Sequence, residues 1–311
     1  MVALEAPVAT PPIRCEPLLA RDGVALALEK HGAAHSPALV FAHGFGQTRH
    51  AWSLSAAALA REGWQCITAD ARGHGESGWR ADGAYEFEQF VHDLLDVARS
   101  AVPARLDLAR GAAPSKPILI GASMGGLLGL IAQAEHDVFG ALVLVDITPR
   151  WEPAGIERIL AFMRAHPEGF VSIEQAIAAI AHYLPHRAAR SRNYEDATGR
   201  LRKMLVRMDD GRLRWHWDPR LLERIAADGA NQQQRLLDAA RRIRVPTLLI
   251  SGEHSDIVSN STIEEFQHCV PHAQHVRVAR ATHMIVGDRN DAFTEAVRAF
   301  IQPLRPTAAA H

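Results

Sequence analysis

The chain has 311 residues, 34 Lys+Arg against 35 Asp+Glu, a formal net charge of -1 and 48% hydrophobic residues, so it has the composition of a soluble globular protein with material for one large core. That balance excludes an electrostatic footprint for nucleic acid or an anionic membrane surface, and no run approaches the roughly 18 apolar residues of a membrane helix. Cys15, Cys66 and Cys269 are odd in number, far apart and outside any CxxC pair, so neither a disulfide framework nor a zinc site is expected, and a reducing, cytoplasmic compartment fits.

Residues 1–15 read as a flexible tail, since Glu5, Pro7, Pro11 and Pro12 interrupt any apolar stretch and no basic segment precedes it. From Glu16 to Lys30 two strands meet at Asp22-Gly23, a hairpin signal. Ala38 to Ala42 is a buried strand that stops at His43-Gly44-Phe45-Gly46, with Thr48 placed to cap a helix running to about Arg61. The pattern recurs with a strand at Gln65 to Ala69, a loop from Asp70 to Gly78, and a helix from about Phe87 to Ala101. It recurs once more with a strand at Pro117 to Ala122, a helix after Ser123 to about Glu135, and a strand at Ala141 to Val145. Strands alternating with helices predict an α/β fold, a mostly parallel sheet with helices on both faces.

From 150 to 240 the alternation gives way to amphipathic helical pieces rich in Ala, Ile and Arg, among which stand Trp151, Phe162, Phe170, Tyr183, Tyr194, Trp215 and Trp217. The strand pattern resumes at Arg244 to Ile250, continues at His275 to Val278, and closes with a helix from Asp291 to Ile301. The expected organisation is therefore a core of 16–149 and 241–304, a helical cap inserted over 150–240, and a short tail over 305–311. Most of the cap aromatics are expected to pack helices together; an arginine that reached the pocket would favour an acidic substrate.

The chemistry centres on Gly121-Ala-Ser123-Met-Gly125. A G-x-S-x-G run is weak by itself, but here a strand precedes it and a helix follows, the setting in which a sharp, strained turn exposes a serine nucleophile. A serine hydroxyl attacks at neutral pH only with a base, and the order serine, acid, histidine can be completed downstream. Among 17 histidines, His283 is singled out by its place between the last strand and the closing helix. Asp256, in the loop after the strand ending at Ile250, is the expected acid, although an Asp there could instead cap the helix near Thr262. Asp146, at the end of its own strand on the same sheet edge, is the alternative acid, and Glu253 is a poorer one. The oxyanion donors are expected to be the backbone N–H groups of Phe45 and Met124. His43 is expected to hold the turn around Phe45 by hydrogen bonds.

Taken together, His43-Gly44-Phe45-Gly46, Asp70-x-Arg72-Gly73-His74-Gly75-x-Ser77, Gly121-x-Ser123-Met124-Gly125-Gly126, Gly252 with Asp256, and His283 resemble the α/β-hydrolase family from about Glu16 to Pro303. The resemblance implies an eight-stranded sheet, a cap between strands six and seven, and a Ser123-Asp256-His283 triad. It is nearer to the esterase and acyl-hydrolase branch than to the dehalogenase and epoxide hydrolase branch, whose members carry Asp where this chain has Ser123. It also implies that Arg72 and His74 brace the scaffold and that Asp146 sits near the cap hinge.

The expected activity is cleavage of a carboxylic ester, lactone or thioester of a small to medium acyl or aryl substrate through an acyl-enzyme on Ser123. No cofactor or metal is expected, the partner being a small ester-like molecule rather than nucleic acid or membrane, with self-association left open. A C–C bond hydrolase, an enol-lactonase or a perhydrolase would use the same residues, and a non-catalytic ligand-binding member of the fold would leave them idle.

Overall fold

The computed structural model describes residues 13–101, 116–183, 201–202, 204–288 and 290–305. Most of the two expected tails, and Tyr194 of the expected cap, lie outside the described residues. Strands β1 (Ile13–Leu19) and β2 (Ala25–His31) form the antiparallel hairpin anticipated at Asp22-Gly23, where Gly23 takes φ 85°. β1 begins at Ile13, within the segment 1–15 expected to be a tail. Then follow β3 (Ala38–Ala42), a 3-10 turn (Arg49–Trp52), α1 (Ser53–Arg61), β4 (Gln65–Ala69), α2 (Phe87–Ser100), β5 (Ile118–Ala122), α3 (Met124–His136) and β6 (Ala141–Val145). Thr48 precedes the 3-10 turn rather than α1, and its side chain makes no capping bond.

Between β6 and the next strand of the main sheet lie α4 (Pro153–Arg164), α5 (Ile173–Tyr183), the small antiparallel pair β7 (Leu205–Arg207) and β8 (Leu213–Trp215), and α6 (Leu221–Arg242). The chain closes with β9 (Thr247–Gly252), α7 (Asn260–Cys269), β10 (Gln274–Val278), the one-turn α8 (Ile285–Asp288) and α9 (Asn290–Ile301). Eight strands lie in the order β1-β2-β4-β3-β5-β6-β9-β10, parallel from β4 through β10.

The central strands are apolar throughout because both faces are covered. Val40, Leu119, Leu142 and Leu144 point to the layer of α2, α3 and α6, while their neighbours Phe41, Ile120 and Val143 point to α1 and α9. The β7–β8 pair sits in a stretch whose sequence reads as helical. Its turn runs through Asp210-Gly211, with Gly211 at φ 79°. The last turns of α6 pack beside α3: Leu236, Leu237, Ala239 and Ala240 are buried in the same cluster, and Arg235 pairs with Glu135 at 2.7 Å and Glu88 at 2.8 Å. No helix among the described residues is long and apolar enough to cross a membrane.

The loop after β4 is braced from within. Arg72 is 2% exposed and grips Asp93 through two bonds of 2.7 Å, while its third nitrogen reaches Asp22 in the β1–β2 turn at 2.7 Å. Burial pushes the Asp93 carboxyl up and Arg72 opposes that push. Removing the guanidinium leaves a buried carboxylate uncompensated, so Arg72→Met is expected to cost about 3–5 kcal/mol of stability near neutral pH. The loss should shrink as pH falls and the carboxyl, already raised by burial, takes up its proton, and denaturant midpoints at neutral and mildly acidic pH check both statements.

Candidate active site

Ser123 stands between β5 and α3 with φ 47° and ψ -117°, a backbone conformation that side chains other than glycine rarely adopt. The turn closes because its neighbours are small: a Cβ on Gly121 would lie 2.6 Å from the carbonyl oxygen of Gly125, and one on Gly125 would lie 2.3 Å from that of Ala42. The Ser123 N–H donates to the Val145 carbonyl at 3.0 Å, and the Ser123 carbonyl accepts from Gly126 and Leu127. These bonds hold the residue at the C-terminal edge of the sheet, where open α/β sheets place their sites.

His283 reaches the same place from the loop after β10. Its Nδ1 meets Asp146 Oδ2 at 2.8 Å, with Asp146 fully buried and His283 15% exposed. Asp146 follows β6 directly, in the left-handed region at φ 48°, and its N–H donates to the Ile250 carbonyl of β9 at 2.7 Å. Its carboxylate also accepts the Gly252 N–H at 2.7 Å and the Ser255 hydroxyl at 2.5 Å. Ser255 was missed in the sequence. Its oxygen accepts the amides of Ile257 and Val258, so its single proton is directed at Asp146.

Asp256, expected to be the acid, does not meet His283. Its backbone is pinned by the start of α4, where a Cβ on Gly155 would lie 2.2 Å from the Asp256 carbonyl oxygen, and the Ile257 carbonyl accepts the Glu152 N–H. The side chain turns instead to the Arg158 guanidinium, 3.2 Å away. The end of β9 and the loop after it thus contribute an amide and a hydroxyl to the buried carboxylate, while the carboxylate next to His283 comes from the end of β6.

The turn after β3 faces Ser123. Among the described residues no acceptor takes the Phe45 N–H, and Met124 opens α3, where an amide has no partner within the helix. Three buried histidines hold the backbone on either side of Phe45. His43 Nδ1 donates to the Gly44 carbonyl at 2.8 Å and its Nε2 accepts the Ala71 N–H at 2.9 Å. His74 Nδ1 donates to the Arg72 carbonyl and its Nε2 accepts the Gly46 N–H at 3.2 Å. His216, from the insertion, accepts the Gly75 N–H at Nδ1, 2.8 Å, and donates from Nε2 to the Gly46 carbonyl, 3.2 Å. Each ring has one nitrogen donating and one accepting, which requires the neutral form. Burial depresses His43, puts His74 well below the ordinary histidine value, and brings His216 down to about 4, with the other imidazoles adding to the effect on the last two.

Ser123, His283, Phe45 and Met124 line one cavity of about 400 Å³. The insertion supplies much of its largely apolar wall, with Phe162, Met163, Trp215 and Trp217, and Arg158 and Asp256 add an ion pair to it. Such a chamber can hold an acyl or aryl group beside a polar reacting end. Among the described residues no group of three or more His, Cys, Asp and Glu side chains is arranged to hold a metal ion.

The protein family described as "Serine aminopeptidase, S33" matches residues 33–290. Over 291 residues the chain is 28% identical to the esterase Rv0045c of Mycobacterium tuberculosis, covering 89% of this chain and 86% of that protein. Over 282 residues it is 29% identical to the sn-1-specific diacylglycerol lipase ABHD11 of Mus musculus, covering 87% and 82%. The solved structure of E-2-(acetamidomethylene)succinate hydrolase shares the fold, with a TM-score of 0.76 at 22% identity over 93% of this chain and 99% of that one.

Two outcomes follow from the geometry. Asp146→Asn should lower kcat roughly 10³–10⁴-fold, the scale of losing the carboxylate that orients a catalytic imidazole. Asp256→Asn should stay within about fivefold of the parent, the scale of a partly exposed ion pair, and steady-state kinetics on one ester compares the two. The histidine trio sets an acid limit on stability. The unfolded chain takes up protons near the ordinary value of 6.5, whereas folded His216 does so only at about 4. Its contribution is therefore fully present above pH 6.5 and lost as pH falls toward 4. Urea midpoints should fall across that window, and His216→Gln, with one titrating group fewer, should show a shallower fall.

Proposed function

The chain belongs to the serine aminopeptidase S33 family of the α/β-hydrolase superfamily, and from that premise we propose that this serine hydrolase cleaves a carboxylic ester through an acyl-enzyme on Ser123. The observation that carries the reading is the convergence, on one largely apolar cavity, of a serine in a strained turn and a histidine whose far nitrogen is bonded to a buried carboxylate. In the proposed cycle His283 Nε2 takes the Ser123 proton as Oγ attacks the carbonyl carbon, and Asp146 stabilises the imidazolium. The amides of Phe45 and Met124 receive the developing oxyanion, the second with the help of the α3 dipole. His283 then gives its proton to the departing alcohol. Water, activated by the same imidazole, releases the acid and restores Ser123.

The apolar, aromatic wall suits a small to medium acyl or aryl group, and the volume lies in the range of sites for small molecules. The names of two similar proteins, an esterase and a lipase, support an ester as the bond broken. A lactone or thioester presents the same carbonyl geometry and belongs to the same proposal.

Ser123→Ala should abolish turnover, by about 10³-fold or more, while leaving the circular dichroism spectrum unchanged. A fluorophosphonate should add one phosphonyl mass to the parent at Ser123 and none to the variant. Undiminished ester hydrolysis by Ser123→Ala would sink the assignment, and a parent that neither labels nor turns over any ester, thioester or lactone would point to a non-catalytic binding protein.

A further inference from the structure

The turn that carries the Phe45 amide is not held by the core alone. Gly46 is gripped at both ends of its own peptide units: its N–H donates to His74, which belongs to the loop after β4, and its carbonyl accepts from His216, which belongs to the insertion. The outer side of the turn is covered from the insertion too. Gly46 sits at φ 74°, and a Cβ there would lie 2.8 Å from Met163 Cε and 3.5 Å from the Trp217 ring. His216 is 2% exposed and stands edge-on to Trp217, whose ring stacks on Trp215 at 4.9 Å. The same strip is fastened to the core by the Asp218 N–H, which donates to the Gly73 carbonyl at 2.8 Å, and by the Tyr85 hydroxyl, which donates to the Asp218 carboxylate at 2.6 Å.

We propose that His216 is a positioning residue for the reaction: it fastens the turn Gly44–Gly46 to the docked strip Trp215–Asp218, so that the Phe45 N–H points at the reacting carbonyl only while that strip is seated. This rests on the reading of Phe45 as an oxyanion donor. A donor of this kind works by being fixed before charge develops, and a small displacement forfeits much of its effect. Without His216 the Gly46 carbonyl loses its partner, the Gly75 N–H loses its acceptor, and the turn keeps only its bonds to His43 and His74 and the local pair between Gly44 and Gln47. The apolar wall and the donor turn then share one support, because Trp215 and Trp217 line the cavity on either side of the histidine that pins the turn.

The hydrogen-bond pattern also dictates which replacements can work. Nδ1 accepts and Nε2 donates, so a protonated ring would set a second donor against the Gly75 N–H. The groups facing the trio include Asp70 and Arg49, which pair with one another, and the trio's own members. Gln places an amide nitrogen near the position of Nε2 and can keep the bond to the Gly46 carbonyl, whereas Asn reaches only as far as Nδ1.

The test is steady-state kinetics of His216→Phe, His216→Asn and His216→Gln, with rates expressed per active site titrated to completion with a fluorophosphonate, alongside melting temperatures. Phe and Asn should lower kcat by about 30-fold or more, short of or approaching the 10²–10³-fold loss of an oxyanion donor removed outright. KM should stay within about threefold, because the interaction is realised in the transition state, and Gln should recover most of kcat. Should His216→Phe fail to fold, the Asn and Gln pair carries the comparison. If Phe and Asn lower the melting temperature yet keep kcat per titrated site within about threefold, or if Gln fares no better than Asn, His216 is a structural pin and the proposal is overturned. Absence of Ser123 labelling in the parent is a different result, which removes the reading beneath the proposal and the proposal with it.

Discussion

A carboxylate shut away from water is costly unless its oxygens find donors, and Asp146 has no exposure at all. Three separate segments answer that requirement: the amide of Gly252 at the end of β9, the hydroxyl of Ser255 in the following loop, and the imidazole of His283 after β10. Satisfying this one group therefore draws the ends of three strands together at one edge of the sheet. The role of the imidazole is a consequence, since with Nδ1 committed to Asp146 the nitrogen left for the cavity that His283 and Ser123 both line is Nε2.

The same accounting explains why so many reactive-looking side chains here are quiet. His43, His74 and His216 are buried, with the His74 ring against both of the others, and hold the turn around Phe45, yet both nitrogens of each are engaged with backbone groups. A histidine so committed is a strut. His283 differs in having one nitrogen on a carboxylate and a ring that opens on the cavity. Residue type does not distinguish these four imidazoles; their partners do.

Much of the fold was legible because burial on both faces leaves a clear record: Ala38–Ala42, Ile118–Ala122, Ala141–Val145 and Thr247–Gly252 are short, largely apolar runs that stop at His43, Ser123, Asp146 and Glu253. The elbow was legible for a related reason, since only small residues survive where α3 meets β5 and the carbonyl of Ala42. The acid was not. β6 and β9 are adjacent and parallel, so a carboxylate after either one arrives at the same edge, and the choice between Asp146 and Asp256 rests on loop path. A left-handed turn at Asp146 and the contact of α4 on the backbone of Asp256 decided it, and neither leaves a mark in residue type. His216 and Ser255 were hidden for the same reason: their partners lie 170 and 109 residues away. The β7–β8 pair was masked by arginines and by Leu and Val, which suit a helix as readily as a short strand.

The segment between β6 and β9 is accordingly more than a cover over a finished site. A lid laid on a complete core would contact the cavity through side chains that only exclude water. This one reaches past the wall: His216 bonds to the turn beside Phe45, Asp218 bonds to the loop after β4, and the end of α6 packs into the layer of α3. Its aromatic residues shape the space for the acyl or aryl group, and the same four-residue strip holds the backbone that faces the scissile carbonyl in the proposed reaction. Substitutions in that strip that reshape the cavity should therefore disturb the rate together with the preference. Arg158, on α4 and paired with Asp256, lines the same cavity from outside that strip and can change the preference alone.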